Sequence, residues 1–132
     1  MPEVPGGTET ILLVEDEELL LELVQLLLET KGYTTLIARD GFAAVNIYTE
    51  HRDKIDLVLT DLALPGLNGW EACKQMKTLN PDLKIVVATG DLDPTAKEEM
   101  MKGGIGEFVQ KPYLASELTT KIRTLLDAKI KP

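Results

Sequence analysis

The chain holds 132 residues, 44% of them hydrophobic, which suits one domain with a sizeable core, since single domains run to ~100–150 residues. Its 22 Asp and Glu against 14 Lys and Arg leave a formal charge of -8, a surface that repels phosphate backbones; no basic helix-turn-helix follows the last apolar run, so direct nucleic-acid binding is not expected. The lone Cys73 cannot close an internal disulfide, residues 1–10 lack the basic start and apolar core of a signal peptide, and residues 19–28 are interrupted by Glu22 and Gln25; that run also falls far short of the ~20 residues of a membrane span, so a cytoplasmic domain without membrane contact is expected.

Residues 1–9 are rich in proline, glycine and polar side chains and read as a linker or tail. Ile11, Leu12, Leu13 and Val14 then form a continuous apolar run, the mark of a strand buried on both faces. The run ends in acid: Glu15, Asp16, Glu17 and Glu18. A periodic segment over residues 19–31 follows, with its apolar stripe expected at Leu20, Leu23, Val24, Leu27 and Leu28 and its stop at Gly32. Glu17 and Glu18 read as caps and dipole compensation for that helix, whereas Glu15 and Asp16 lie closer to the strand end and are candidate functional acids. Residues 33–38 (YTTLIA) read as the second strand, Asp40 and Gly41 as a turn, and residues 42–51 as a helix carrying Ala43, Ala44, Ile47 and Tyr48. His51, at the end of that helix, reads as a solvated terminal residue.

Residues 55–60 form a third strand that delivers Asp61 to a loop of Pro65, Gly66, Asn68 and Gly69. A carboxylate at the carboxyl edge of a parallel strand stands where open α/β sheets place their ligands, although an Asp bonded to its own loop backbone fits this stretch equally well. Residues 70–79 read as a helix with Ala72, Cys73 and Met76 inward, ended by Asn80 and Pro81, and Cys73 as a small buried apolar residue. Residues 84–88 (KIVVA) are the fourth strand and deliver Thr89 and Gly90. Asp93 and Pro94 open a helix that runs to Lys102 and stops at Gly103 and Gly104. The glycine run at 103–106 follows a helix and precedes a strand, the reverse of a phosphate-cradling loop. Residues 107–110 are the fifth strand, ending at Lys111 and Pro112; residues 114–129 form the last helix, with Leu118, Ile122, Leu125 and Leu126 inward, and residues 130–132 a tail.

Five short apolar strands alternating with five helices predict an α/β, doubly wound parallel sheet of order 2-1-3-4-5 with its switch point between the first and third strands. That topology gathers Glu15, Asp16, Asp61, Thr89 and Lys111 at one edge. Three carboxylates in mutual range repel strongly without a cation, and oxygen-only ligands select a hard ion such as Mg2+. A carboxylate, a lysine, a hydroxyl and a metal are the parts of a phosphoryl-transfer site, with Asp61 as nucleophile, Thr89 as donor to the phosphoryl group and Lys111 as counter-charge.

The runs ILLVEDEE, LVLTDLALPGLNGWE, KIVVATG and EFVQKPY resemble, in order and spacing, the signature segments of response-regulator receiver domains of two-component signalling. The similarity spans residues 10–129 and implies a flavodoxin-like receiver fold. It implies that Asp61 accepts a phosphoryl group from the phosphohistidine of a histidine kinase or histidine phosphotransfer domain, with Mg2+ or Mn2+ required. By the same resemblance Asp16 and Asp61 ligate the metal directly, the backbone carbonyl of Ala63 is a third ligand, Glu15 acts through water, and the Lys111 to Pro112 bond is cis. Thr89 and Phe108 are then the switch pair, altering a protein-binding face made by the fourth helix, fifth strand and last helix. Ala63 and Asp91 stand at positions that tune hydrolysis of the acyl phosphate.

Two residues depart from the commonest pattern. Glu15 stands where Asp is most frequent, and its longer reach still serves a water-mediated contact. Phe108 stands where Tyr is frequent and lacks the hydroxyl that would hold an aromatic ring outward. The resemblance implies a phosphoprotein that catalyses only its own phosphorylation and dephosphorylation, as a monomer or weak homodimer, and is not otherwise an enzyme. The segment GGTETILLVEDEE also resembles the approach to the C-terminal receiver of hybrid sensor histidine kinases, in which case the parent protein could be membrane-anchored; the competing arrangement is a free-standing regulator. The rival functions are a receiver-like interaction module that is not phosphorylated and an Asp-nucleophile phosphatase. The second needs a carboxylate two residues beyond the nucleophile, where this chain has Ala63.

Overall fold

Each apolar run of the sequence becomes a strand, and each amphipathic stretch a helix, in the computed structural model, which describes residues 6–91 and 93–128. Lys129, where the sequence places the end of the last helix, the tail at 130–132 and residues 1–5 of the leading segment lie outside the described residues. The first half contains β1 (Thr10–Val14), α1 (Glu18–Thr30), β2 (Thr34–Ala38), α2 (Gly41–His51) and β3 (Leu57–Asp61). The second contains α3 (Gly69–Leu79), β4 (Lys84–Thr89), α4 (Pro94–Lys102), β5 (Glu107–Gln110) and α5 (Ala115–Asp127).

The five strands form one parallel sheet of order β2-β1-β3-β4-β5, as the sequence predicts. Side chains alternate along a strand, so each central strand feeds two cores. Leu12, Val14, Val58, Ile85 and Val87 face one layer, against Ala44 and Tyr48 of α2, Ala72, Cys73 and Met76 of α3 and Met100 of α4. Ile11, Leu13, Leu57, Leu59, Val86 and Ala88 face the other, against Leu21, Val24 and Leu28 of α1 and Leu118 and Ile122 of α5. Both faces of β1, β3 and β4 are therefore dry, which is why those strands read as unbroken apolar runs. Their carboxyl ends are fixed by some of the best-packed side chains of the molecule, each contributing ~1.5–3 kcal/mol through burial. Cys73 lies fully inside, and burial pushes its thiol up to about 12, so it is inert packing.

In α1 the buried stripe differs from the predicted one. Leu21, Val24 and Leu28 face the sheet, while Leu23 is 56% exposed and Leu19 and Leu26 also face outward. The segment has leucine at so many positions that more than one stripe satisfies the helical period, and docking on β1 and β2 selects among them. Glu17 occupies the N-cap of α1 without a side-chain cap bond. Its backbone N–H instead donates to Glu15 Oε2 at 3.1 Å, and Glu18 is engaged by Arg39. Asp40 is more than a turn residue, since it caps α2 by accepting from Ala43 N–H at 2.7 Å. Asp93 caps α4 through Ala96 N–H as the sequence indicates. His51 closes α2 beside Glu50.

Residues 6–9 lie against the domain rather than away from it. Gly7 N–H donates to Lys31 O, and the Arg123 guanidinium of α5 binds Glu9 at 2.6 and 3.0 Å, Asp127 at 2.8 Å and Gly6 O at 3.1 Å. Arg123 above all holds the Glu9 carboxyl below its ordinary value of 4.5. A carboxylate with a depressed folded-state pKa stabilises the fold above its unfolded value, and the gain is lost as pH falls through the folded one. Arg123→Ala is therefore expected to lower unfolding stability at neutral pH by ~1–3 kcal/mol. Paired denaturant titrations check this: the gap between wild type and variant should narrow in acid below that range, and a pH-independent gap would contradict the ion-pair account.

Candidate functional site

The carboxyl edge of the sheet collects the charged residues that the strands deliver. β3 ends at Asp61, paired with Ala88 of β4, and the next residue keeps the ladder through Leu62 N–H to Ala88 O at 3.1 Å. The chain then turns away. Asp61 Oδ1 accepts from Ala63 N–H at 3.2 Å, Gly66 takes the left-handed conformation at φ 71°, and Asn68 caps α3 by accepting from Glu71 N–H. Gly69 brings the start of α3 so close that an added Cβ would sit 2.2 Å from Asp61 O. Glu15 and Asp16 follow β1, whose Val14 pairs with Thr60 directly before Asp61. One carboxylate oxygen from each of Glu15, Asp16 and Asp61 lies within 4.8 Å of the other two.

Lys111 arrives from the far side of the sheet. Its backbone N–H donates to Thr89 O at 2.8 Å, continuing the β4–β5 ladder, and its peptide bond to Pro112 is cis, as the resemblance implies. The Nζ group donates to Asp61 Oδ2 at 2.8 Å and to Glu15 Oε1 at 2.9 Å. Side-chain exposure is 6% for Glu15, 11% for Asp61 and 22% for Lys111, so these bonds act with little competition from water. Burial opposes the charge on Lys111, and the bonds to Asp61 and then Glu15 outweigh it, raising its pKa further; the lysine stays cationic. Glu15 goes the other way. Burial raises its carboxyl above the usual range despite the Lys111 bond.

Thr89 ends β4, and among the described residues its hydroxyl has only long contacts, 3.4 Å each, to the backbone O and N–H of the exposed Asp91. Phe108 belongs to β5 and is not part of the acidic group; with Thr89 it lines a neighbouring cleft of about 300 Å3. The structure thus brings Glu15, Asp16, Asp61 and Lys111 into one constellation, sets Ala63 against Asp61, and places Thr89 and Phe108 beside one another in the adjoining cleft. Two participants escape the sequence reading. Glu17 contributes a backbone N–H to Glu15, which side-chain types cannot reveal. Tyr113 packs behind the lysine with its hydroxyl pushed up to about 12, chiefly by burial, with the Lys111 charge opposing and the Glu15 and Asp61 charges adding to the rise; its place directly after Pro112 was the available signal.

Three carboxylates face a single ammonium here, an all-oxygen donor set with negative charge to spare, which suits a hard divalent cation. A five-stranded, doubly wound sheet of order 2-1-3-4-5 with acids at the switch point and a lysine beyond defines a class of α/β signalling domain. The chain belongs to the response regulator receiver domain family, whose sequence model matches residues 11–123. Sensory transduction protein RegX3 of Mycobacterium tuberculosis is 34% identical over 119 residues, 89% of this chain and 50% of RegX3, so the chain spans about half the length of that relative. A response regulator receiver domain protein from Clostridium thermocellum has a crystal structure that superposes with a TM-score of 0.85 at 30% identity, covering 90% of this chain and 94% of that one. The receiver domain of a sensor histidine kinase from Pseudomonas aeruginosa, described with magnesium coordinated in its active-site cleft, shares the fold at a TM-score of 0.80 and 24% identity, covering 92% of this chain and 100% of that one. No helix among the described residues is long and apolar enough to cross a membrane.

Proposed function

We propose that this domain is the phosphoacceptor of a two-component phosphorelay, taking a phosphoryl group from the phosphohistidine of a histidine kinase or phosphotransfer domain onto Asp61. The observation that carries the reading is the Lys111 ammonium, brought from the end of a separate strand to 2.8 Å from Asp61 Oδ2. An Asp61 oxygen attacks phosphorus, the P–N bond breaks, and its electron pair stays on the leaving imidazole. Lys111 meets the charge that gathers on the phosphoryl oxygens, and the loosely held Thr89 hydroxyl turns from Asp91 to donate to one of them. Mg2+ or Mn2+ would be held by Asp16, Asp61 and the Ala63 carbonyl, with Glu15 acting through water. When bound, such a cation neutralises incoming phosphoryl charge. Ala63, the second residue after the acceptor, offers only a methyl and a backbone and so no general acid for turnover on outside substrates. The domain then catalyses only its own loading and hydrolysis, with Ala63 and Asp91 flanking the path of an attacking water.

The consequence of loading is a changed face of α4, β5 and α5, reached through Thr89 and Phe108, for a downstream protein in the cytoplasm. Residues 10–129 form the receiver unit in this reading, and the parent is a hybrid sensor kinase or a free-standing regulator. Intact-mass spectrometry after incubation with acetyl phosphate and Mg2+ tests it: wild type is expected to gain one phosphoryl group and Asp61→Asn none. An unmodified wild type would favour the interaction module, and repeated turnover of a phosphomonoester would favour the phosphatase.

A further inference from the structure

Phe108 lacks a hydroxyl, so whatever restrains its ring must come from elsewhere. The Lys97 Nζ of α4 stands over that ring at 5.5 Å from its centroid, inside the ~6 Å reach of a cation–π attraction. Lys121 of α5 donates to the Phe108 carbonyl, and Phe108 pairs with Val87 in the sheet. The backbone of Phe108 is therefore pinned, and its freedom is that of the side chain alone. Beside the ring lies the cleft of about 300 Å3 lined by Thr89, Asp91, Lys97, Val109, Gln110 and Lys121. The cleft is open and walled mainly by polar side chains, and by volume alone it has room for a phenyl group, which needs ~150 Å3 or less. The ring packs on the core beneath α4 with Lys97 over it at the border of this cleft, and the second position open to it is deeper in the cleft, toward Thr89.

We propose that Lys97 is the latch of the resting state, holding Phe108 against α4 by its charge in place of the missing hydroxyl; the proposal rests on the phosphoacceptor reading for the event that releases the latch, Thr89 turning toward a loaded Asp61. Lys97 is exposed, so the latch is weak and the switch is a shift of populations. Losing it should raise the ratio of cleft-seated to latched ring by about 2- to 5-fold.

The chain has two phenylalanines, Phe42 and Phe108, so labelling with 4-fluorophenylalanine yields two fluorine resonances, assignable by Phe42→Leu. Phe42, 59% exposed, serves as the internal control for an intact fold. In the unloaded protein, Lys97→Met is expected to move the Phe108 resonance toward its position in protein loaded with acetyl phosphate and Mg2+, leaving Phe42 in place, while Lys97→Arg, which keeps the cation, stays with wild type. A Phe108 resonance in Lys97→Met that coincides with wild type, or one that Lys97→Arg moves equally, would overturn the latch. Mass spectrometry of the same samples reports separately whether loading occurs; if it does not, a Phe108 resonance that Lys97→Met moves and Lys97→Arg leaves in place still supports the latch, while the phosphoacceptor reading fails.

Discussion

Lys111→Met is expected to slow phosphoryl acceptance by about 100- to 1,000-fold, the usual effect of deleting one preorganised donor at a site of developing charge. Rates of mass gain with a small phosphodonor check it. The same substitution should also weaken the fold, because Glu15 and Asp61 would keep their low exposure of 6% and 11% and lose the ammonium between them. Removing one partner of such a buried set costs ~3–5 kcal/mol in the absence of divalent cation. Acid should restore part of the loss. Burial already raises the Glu15 carboxyl, so the folded state binds a proton more readily than the unfolded chain, and stability rises as pH falls through the folded-state value. Mg2+ should stabilise the variant more than it stabilises wild type, since in wild type Lys111 already offsets part of the charge. Thermal melts across pH, with and without Mg2+, would contradict this account if the variant melted like wild type in every condition.

Gly69→Ala is expected to damage the site although the residue touches no substrate. Its new Cβ would fall 2.2 Å from Asp61 O and 2.9 Å from Leu62 Cα, and these are backbone atoms that cannot swing aside. Either α3 retreats or the end of β3 moves, with overpacking of this kind costing ~1–3 kcal/mol. Because Asp61 must stay within bonding distance of Lys111, a shift near 1 Å should reduce the loading rate by about 100-fold. Acetyl phosphate kinetics beside a denaturant melt separate the two effects. A variant with wild-type rate and stability would show that the close approach of α3 does not position the acceptor.

The sheet and its site were legible for the same reason. Strands buried on both faces leave unbroken apolar runs, which Glu15 and Thr89 end directly; Asp61 follows the buried Thr60, and Lys111 follows the short edge strand after Gln110, so all four stood out at strand ends. The face of α1 was not legible. Leucines at 19, 20, 21, 23, 26, 27 and 28 satisfy more than one helical stripe, and packing on the β1 and β2 side of the sheet selects Leu21, Val24 and Leu28. Glu17 does take the N-cap position of α1, but its side chain makes no cap bond, and the part its own N–H plays in holding Glu15 is a backbone contact that residue type does not reveal. Lys97 gave no sign at all, since a lysine on a polar helix is ordinary until an aromatic ring from a distant strand packs beneath it.

The central claim is that the carboxylate at the tip of β3 is the group that becomes phosphorylated. Borohydride trapping of the acyl phosphate, followed by peptide mapping after loading with acetyl phosphate, locates it directly: the account predicts reduction at Asp61 alone, dependent on Mg2+ and lost on chelation. Reduction at Glu15, Asp16 or any other carboxylate, or loading that chelation leaves unchanged, would contradict it.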